Sequence, residues 1–400
     1  MKKMMILGAG VLQVPAILKA KELGYQVIAV DYDINASGFG YADVCLYIST
    51  LDEEEVYKQA LMYNPDVIIT STSDAPIRTV AYVNQKLGRA ADLSYEDALC
   101  ATNKAYMRQR FEKSGVPIPK FYIVNSFEEY KKAVGKLKDK FIVKPADNAG
   151  SRGVELVAKR DVTLIDKVYY SSKEYSRTGT VLVEEFVEGP EVSVESFTVN
   201  GETDIIAITD KLTTQPPYFV ELGHSEQSQF DEDTKTKIKE TARKAIKAIN
   251  IKDGPSHTEI KITSRGPIVI EIAARLGGDF ITSKLVPLAT GVDLIDCSIK
   301  QAIHEQVDLS RKFDRGAAIR FITADEGTII DMEGIEEAEK IEGVYEISIY
   351  KKIGDTVNGL KSSNDRIGHI IASAEKAREA NDICNKASEL IIIKTEKRGK

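Results

Sequence analysis

The sequence predicts a multidomain chain of mixed α/β and α+β class that begins with a doubly wound parallel sheet. Three observations carry this expectation. Residues 1–100 alternate short apolar runs with helical stretches, the βαβ rhythm of a parallel sheet. Residues 120–187 read strand, helix, strand, loop, strand, helix, strand, a small α+β unit of the size of a lid. Further on, "HTEIKITSRGPIVIEIAARLGG" (residues 257–278) joins two apolar runs by a short turn, the mark of an antiparallel hairpin. A length of 400 residues suits two or three domains, and 43% hydrophobic with 29% charged residues is ordinary for a globular protein.

In the first part, "MMILGAG" reads as a strand and turn, "VPAILKAKELG" as a helix stopped by Gly24, and "QVIAVDYD" as a second strand closing on Asp31. "EEEVYKQALMYN" is helical, "PDVIITSTSD" a strand and "APIRTVAYVNQKLG" a helix with a glycine stop. A ligand surface is expected at the carboxyl ends of these strands, near Gly8, Asp31 and Ser71–Asp74. The second part spans 101–310 and includes the lid at about 120–187. It opens with two helical segments and continues after the lid with antiparallel strands ("EVSVESFTVNG", "TDIIAITDKLT"), a helix over residues 231–250 and the hairpin above. Residues 311–400 form a last α+β section, in which "HIIASAEKAREANDICNKASELIIIKT" is a strand, a long amphipathic helix and a strand.

The formal net charge of −7 and the lack of a basic tract argue against a nucleic-acid partner. An anionic ligand must therefore be drawn by local lysines, arginines and backbone amides. Cys45, Cys100, Cys297 and Cys384 lie far apart with no CxxC pair, which fits neither a disulfide framework nor a zinc site. The start "MKKMMILGAG" breaks at its glycines and reads as a first strand, not a signal peptide. No apolar run reaches transmembrane length, so a cytoplasmic protein without membrane partners is expected.

Two stretches invite a ligand. "ILGAGVLQ", with Asp31 beyond it, suggests a dinucleotide turn. The third position of that motif needs a small residue and here is Gln13, so a tight turn required by the fold is the better reading. In the hairpin, Glu259 and Glu271 fall on adjacent strands. If they share a face, two carboxylates in an apolar sheet repel unless a divalent cation or a basic residue lies between them. Magnesium favours one or two carboxylates plus phosphate oxygens. Arg275 follows, able to grip a phosphoryl group bidentately, and Gly277 and Gly278 then supply bare amides suited to an anion. The alternative is a pair of solvent-facing glutamates on an edge hairpin.

Taken together, the pieces resemble the ATP-grasp superfamily of carboxylate–amine ligases. The residues that carry the resemblance are Lys104 after "CATN", Lys144 before the loop in "FIVKPADNAGSRGVELV", "VEEFVEG" with the later Glu191, then Glu259, Glu271 and Arg275. It spans nearly the whole chain and is similar to the biotin-carboxylase-like branch with its L-amino-acid ligases and purine-pathway carboxylases. The resemblance implies a pre-ATP-grasp N-terminal domain and an ATP-grasp domain with a mobile lid. It implies that Lys104 and Lys144 hold ATP phosphates and that the loop Asn148–Gly153, with Gly150, Ser151 and Gly153, closes over them. The run Glu184, Glu185, Phe186, Val187 becomes the adenine hinge, and Glu191 meets the ribose. Glu259 and Glu271 would coordinate Mg²⁺ (or Mn²⁺), and Arg275 with Lys144 would stabilise the transferring phosphoryl group. Many members carry Asn two residues after the second metal glutamate; Ala273 stands there, which puts a second metal position in doubt, with water as the substitute ligand. A homodimer is a further expectation from the family.

The small-molecule carboxylate and amine substrates are expected near "TTQPPYFVELGHSEQS" (213–228), because a similar stretch lines the acceptor pocket in the amino-acid-ligase branch. His224 either binds a carboxylate or accepts the amine proton, or is a partly exposed polar residue of an ordinary loop and strand. His257 shares the face of Glu259 and is a second candidate, and His304 and His369 read as surface residues. Arg320, alternating with apolar neighbours in "GAAIRFI", either binds a substrate carboxylate or makes a structural ion pair. The expected activity is ATP-dependent joining of a carboxylate, an amino acid, to an amine through an acyl phosphate. The alternatives are a bicarbonate-using carboxylase of the purine or biotin type, or a nucleotide-binding module without catalysis.

Overall fold

Met4 and Ile6 pack on one side of the first strand, Met5 and Leu7 on the other, and all four are fully buried. A strand that is apolar on both faces belongs in the middle of a covered parallel sheet. In the computed structural model, which describes residues 2–89, 92–148, 150, 152–216 and 218–397 and only the backbone of residue 162, Lys3–Leu7 is such a strand. It lies between Gln26–Val30 and Val67–Ile69, with Val44–Leu46 at the edge, all parallel. The turn at Gly8 has φ of +106°, open to glycine at little cost. Gln13 fills the space above Gly8 and donates to Thr72 Oγ1 at 2.6 Å and Ser73 Oγ at 3.1 Å. Asp31 accepts from the Ala9 amide at 2.8 Å, so the residue expected of a ribose binder caps a turn.

The lid is a four-stranded antiparallel sheet ordered Phe121–Val124, Val181–Glu185, Lys140–Pro145, Glu155–Ala158. Helices Phe127–Lys136 and Val162–Glu174 cover one face and bury Tyr130, Phe141 and Tyr169. The body is an eight-stranded sheet whose order starts Gly266–Ala273, Gly254–Thr263, Glu191–Val199, Glu202–Thr213, Glu221–Glu226. Helix Glu232–Ile249, capped by Asp231 accepting from the Thr234 amide at 2.8 Å, lays Ile238, Ala242, Ala245, Ile246 and Ile249 against this sheet. Each large aliphatic side chain so buried stabilises by about 1.5–3 kcal/mol.

The same sheet continues with Gly316–Ile322, Gly368–Ala374 and Val344–Ile349. The pattern of residues 311–400 gave no sign of this, because sheet order is a long-range property that alternation within each strand does not encode. A local reason lies at Gly223, where a Cβ would come within 2.4 Å of the Ile319 carbonyl. Only a bare backbone lets Glu221–Glu226 and Gly316–Ile322 approach so closely. The strand Ile392–Glu396 leaves the large sheet and pairs with Gly327–Glu333 in a separate three-stranded sheet.

One buried carboxyl belongs to neither a ligand nor an ion pair. Glu226 is fully buried, and Thr209 Oγ1 donates to its Oε1 at 2.8 Å. Burial pushes its carboxyl up to about 8, with Glu195 adding repulsion and Thr209 offsetting part of it. In the unfolded chain this group ionises near ~4.3. The proton it keeps on folding therefore adds stability that is complete below that pH and lost as pH rises toward 8. We predict that the melting temperature of the wild type falls, relative to Glu226→Gln, between about pH 5 and 8. Parallel melting curves for the two proteins across that range would contradict it.

Candidate active site

The lid, the body and the end of the chain enclose a cavity of about 530 Å³. Its floor is the hairpin. Glu259 pairs in register with Glu271, so the two carboxylates stand side by side. Strand alternation sends His257, Glu259 and Lys261 into the cavity, while Thr258 and Ile260 turn to the buried side. On the next strand Glu191, Ser193 and Glu195 face the same way, opposite Lys261, Glu259 and His257.

Each of these two carboxylates is met by a lysine from a different element. Lys104, the first residue of helix Lys104–Lys113, lies 2.7 Å from Glu271 Oε1 and donates to the Asn148 carbonyl at 2.9 Å. Asn103 fixes that helix start by accepting from the Ala105 and Tyr106 amides. Lys211 reaches Glu191 at 2.7 Å, Glu259 at 2.9 Å and Glu221 at 3.8 Å. Burial pulls both ammonium groups toward neutrality, but the carboxylates outweigh it; Lys104 is raised, and Lys211 is held well above the usual lysine range. Glu259, which burial would raise, is instead held well below the usual carboxylate range by Lys211 and His257.

A second charge cluster anchors the lid. Glu184 is held by Lys144 at 2.7 Å and by Arg108 Nε at 2.7 Å, and Arg108 also donates to the Ile270 carbonyl at 2.8 Å. All three side chains are buried. Burial would raise the Glu184 carboxyl, yet Arg108 and Lys144 bring it down to about 2. Burial lowers the Lys144 ammonium, Arg108 and Lys104 lower it further, and Glu184 offsets part of the effect.

Two arginine–aspartate pairs close the walls. Arg275 grips Asp74 through Nε at 2.7 Å and Nη2 at 2.9 Å. Arg366 grips Asp279 with both terminal nitrogens at 2.8 Å and lies over the Phe321 ring at 3.7 Å. His224 Nε2 stands 3.3 Å from the same Asp279. Burial would raise this carboxyl, but His224 and Arg366 hold it far below the usual range. His257 donates to Glu195 across 2.6 Å; burial would lower it, and the glutamates push it up to about 9.

Of the residues singled out in the sequence, Lys104, Lys144, Asn148, Gly150, Glu184, Glu185, Phe186, Val187, Glu191, His224, Glu259, Glu271, Arg275 and Gly278 line this one cavity. Gly277 lies behind it, where a Cβ would meet Glu195 Oε2 at 2.6 Å. Gly153 lines an adjoining cavity, and Ser151 lies outside the described residues. Arg320 is a correction. It turns to the other face of its strand, where Asn381 accepts from it at 2.7 Å and Asn385 at 3.2 Å, so it is structural. His369 is a second correction: it is buried against Phe280, Tyr350 and Glu346. Sequence reasoning missed Lys211, Asp279 and Arg366. Lys211 left a signal, a charge in the alternation of "IAITDKLT", whereas Arg366 meets Asp279 across 87 residues and left none.

Among the described residues no group of three or more His, Cys, Asp or Glu side chains is arranged to hold a metal. The paired carboxylates of Glu259 and Glu271 still match a hard divalent cation that takes its remaining oxygens from phosphate and water. Ala273, opposite His257, adds no ligand.

The family model described as ATP-grasp domain matches residues 137–283, and the one described as L-amino acid ligase C-terminal domain 2 matches residues 320–396. The chain thus contains an ATP-grasp domain, and its last section matches the C-terminal domain of the L-amino acid ligases. The chain is 32% identical over 292 residues to the uncharacterized protein y4rH of Sinorhizobium fredii, covering 72% of this chain and 60% of that one. It is 25% identical over 331 residues to the L-arginine-specific L-amino acid ligase of Bacillus subtilis, covering 81% and 79%. In structure it resembles the L-amino acid ligase from Bacillus licheniformis, with TM-score 0.85, 21% identity and 99% of both chains covered. It also resembles phosphoribosylglycinamide synthetase from Anaerococcus prevotii, with TM-score 0.78, 24% identity, and 99% and 100% covered.

The Arg108–Glu184–Lys144 cluster yields a stability prediction. Arg108→Met leaves a buried carboxylate with one partner, and it should destabilise by about 3–5 kcal/mol. Chemical denaturation checks this, and a loss below about 1 kcal/mol would contradict a buried pair.

Proposed function

We propose that the protein is an ATP- and Mg²⁺-dependent ligase that activates a carboxylate, an amino acid, as an acyl phosphate and joins it to an amine. The observation that carries this reading is the register pair Glu259–Glu271, each carboxylate bonded to a lysine from another wall of one cavity. In this reading the two glutamates hold the metal, which supplies charge neutralisation to the transferring phosphoryl group. Lys104 and Lys144 hold phosphates from the body and from the lid, and the loop amides near Asn148, Gly150 and Gly153 cover them. The backbone of Glu184–Val187 takes the adenine edge and Glu191 the ribose. Arg275, oriented by Asp74, stabilises the charge that grows on the phosphoryl group.

The chemistry is two displacements. A carboxylate oxygen attacks the γ-phosphorus and ADP leaves; an amine nitrogen then attacks the acyl carbon, phosphate leaves and the amine gives up a proton. His224, held to Asp279 on the wall of the cavity, orients the carboxylate or takes that proton in this reading. The acyl phosphate is open to water, which the lid excludes.

Phosphate release from ATP, measured with Mg²⁺ over a panel of amino acids, tests the reading. Release is expected for at least one acid–amine pair, and tight nucleotide binding with no release from any pair would overturn it. Glu271→Gln should lower kcat by about 100-fold with the fold intact by circular dichroism. Lys144→Ala should raise the KM for ATP by about tenfold or more. Near-native rates in Glu271→Gln would contradict the metal assignment.

A further inference from the structure

Lys211 reaches across a neighbouring strand inside the central cavity. It stands on strand Glu202–Thr213, with Glu191–Val199 and then Gly254–Thr263 beside it. Its ammonium lies 2.7 Å from Glu191 Oε1 on the adjacent strand and, beyond that strand, 2.9 Å from Glu259 Oε1. Ser193 faces the cavity on the way, since it pairs with Thr209 on one side and with Glu259 on the other. So small a side chain leaves room for the lysine to pass over it. Glu191 has a second lysine, for Lys261 Nζ is 3.5 Å from its Oε2.

A third carboxylate stands close by. Glu221 Oε1 lies 3.8 Å from the Lys211 ammonium, too far for a hydrogen bond. Its Oε2 accepts from Ser363 Oγ at 3.0 Å. The register between Glu202–Thr213 and Glu221–Glu226 breaks here: Leu212 pairs with Gly223, but Thr213 pairs with Glu221. That bulge re-aims the start of the strand, so Glu221 and His224 line the cavity and Leu222 does not. Three carboxylates thus surround an ammonium with three donors, and it bonds two of them.

We propose that Lys211 is a positioning residue that holds Glu259 for the metal and then yields it, pivoting on Glu191 from Glu259 to Glu221. An ammonium and a divalent cation on one carboxylate repel each other strongly at this range. Mg²⁺ that arrives with nucleotide phosphates therefore drives the lysine off Glu259. Glu191 keeps the ammonium anchored, and Glu221, already 3.8 Å away, receives it. Mg²⁺ alone brings no phosphate oxygens to offset that displacement, so without nucleotide Lys211 keeps Glu259 occupied. The bulge that turns Glu221 inward gives the lysine its second resting place. This inference rests on the metal assignment of the ligase reading above, to which it adds the residue that guards the metal carboxylate.

Calorimetric titrations of the full chain with Mg²⁺, with ADP, and with ADP in the presence of Mg²⁺ test the pivot. In Lys211→Met, Mg²⁺ without nucleotide should bind about tenfold or more tighter than in the wild type, because its competitor is gone. Lys211→Arg keeps a cation there and should keep that binding weak. In Glu221→Gln the lysine loses its second place, so Mg²⁺ should tighten ADP by about fivefold less than in the wild type, with metal-free ADP affinity within about twofold. That loss should vanish when Glu221→Gln is built on Lys211→Met, because the carboxylate acts through the lysine. Unchanged Mg²⁺ affinity in a Lys211→Met protein that circular dichroism shows folded would overturn the pivot, as would a Glu221→Gln loss of equal size with and without the lysine. Should Lys211→Met fail to fold, Glu221→Gln alone decides: a loss of about fivefold supports the pivot, and wild-type coupling of Mg²⁺ to ADP overturns it. ADP affinity indifferent to Mg²⁺ in the wild type would instead sink the metal assignment, and the pivot with it.

Discussion

The side-by-side placement of Glu259 and Glu271 is the constraint on which the rest of the molecule depends. Two carboxylates side by side on neighbouring strands repel each other, and the pairing survives only if cations are brought to them. The fold brings two, from elements far apart in sequence. Lys104 comes from a helix start and lies 2.7 Å from Glu271, and Lys211 comes from a strand two places along the sheet and lies 2.9 Å from Glu259. Such pairs contribute little net stability because desolvation opposes them, but removing one partner is costly. They therefore specify the arrangement more than they strengthen it.

The same logic joins the outer parts to the centre. Arg275 at the end of the hairpin is tied to Asp74, which follows the last strand of the N-terminal parallel sheet. Arg366, from a loop of the last section, is tied to Asp279 and thereby to His224. Asp279 and Phe280 both adopt positive φ, 51° and 62°, a backbone cost that residues other than glycine carry only where the surroundings over-determine it. The bidentate grip of Arg366 on Asp279 is one such determinant.

Much of this was legible in the sequence, for identifiable reasons. Alternation and the short turn gave the hairpin, and the facing of Glu259 and Glu271 follows from period-two geometry. The turn at Gly8 was readable because Gln13 is too large for a dinucleotide motif. Arg320 misled because alternation tells that a residue points away from its neighbours, not toward which side of the sheet. His369 misled because a lone histidine carries no burial signal of its own. Arg366, Asp279 and the extension of the large sheet by the last section were hidden for a common reason: each is a contact between segments distant in sequence. The two family models agree on class, while the pairing of arginines with aspartates emerges only in three dimensions.

The central claim is that the lysines already neutralise the glutamates, so a divalent metal gains a foothold only together with phosphate. Calorimetric titration of Mg²⁺ alone, ADP alone and Mg²⁺ with ADP tests it most directly. The account predicts that Mg²⁺ alone binds weakly, at about millimolar affinity or worse, and that Mg²⁺ tightens ADP by about tenfold or more. Micromolar binding of Mg²⁺ without nucleotide, or ADP affinity indifferent to Mg²⁺, would contradict it.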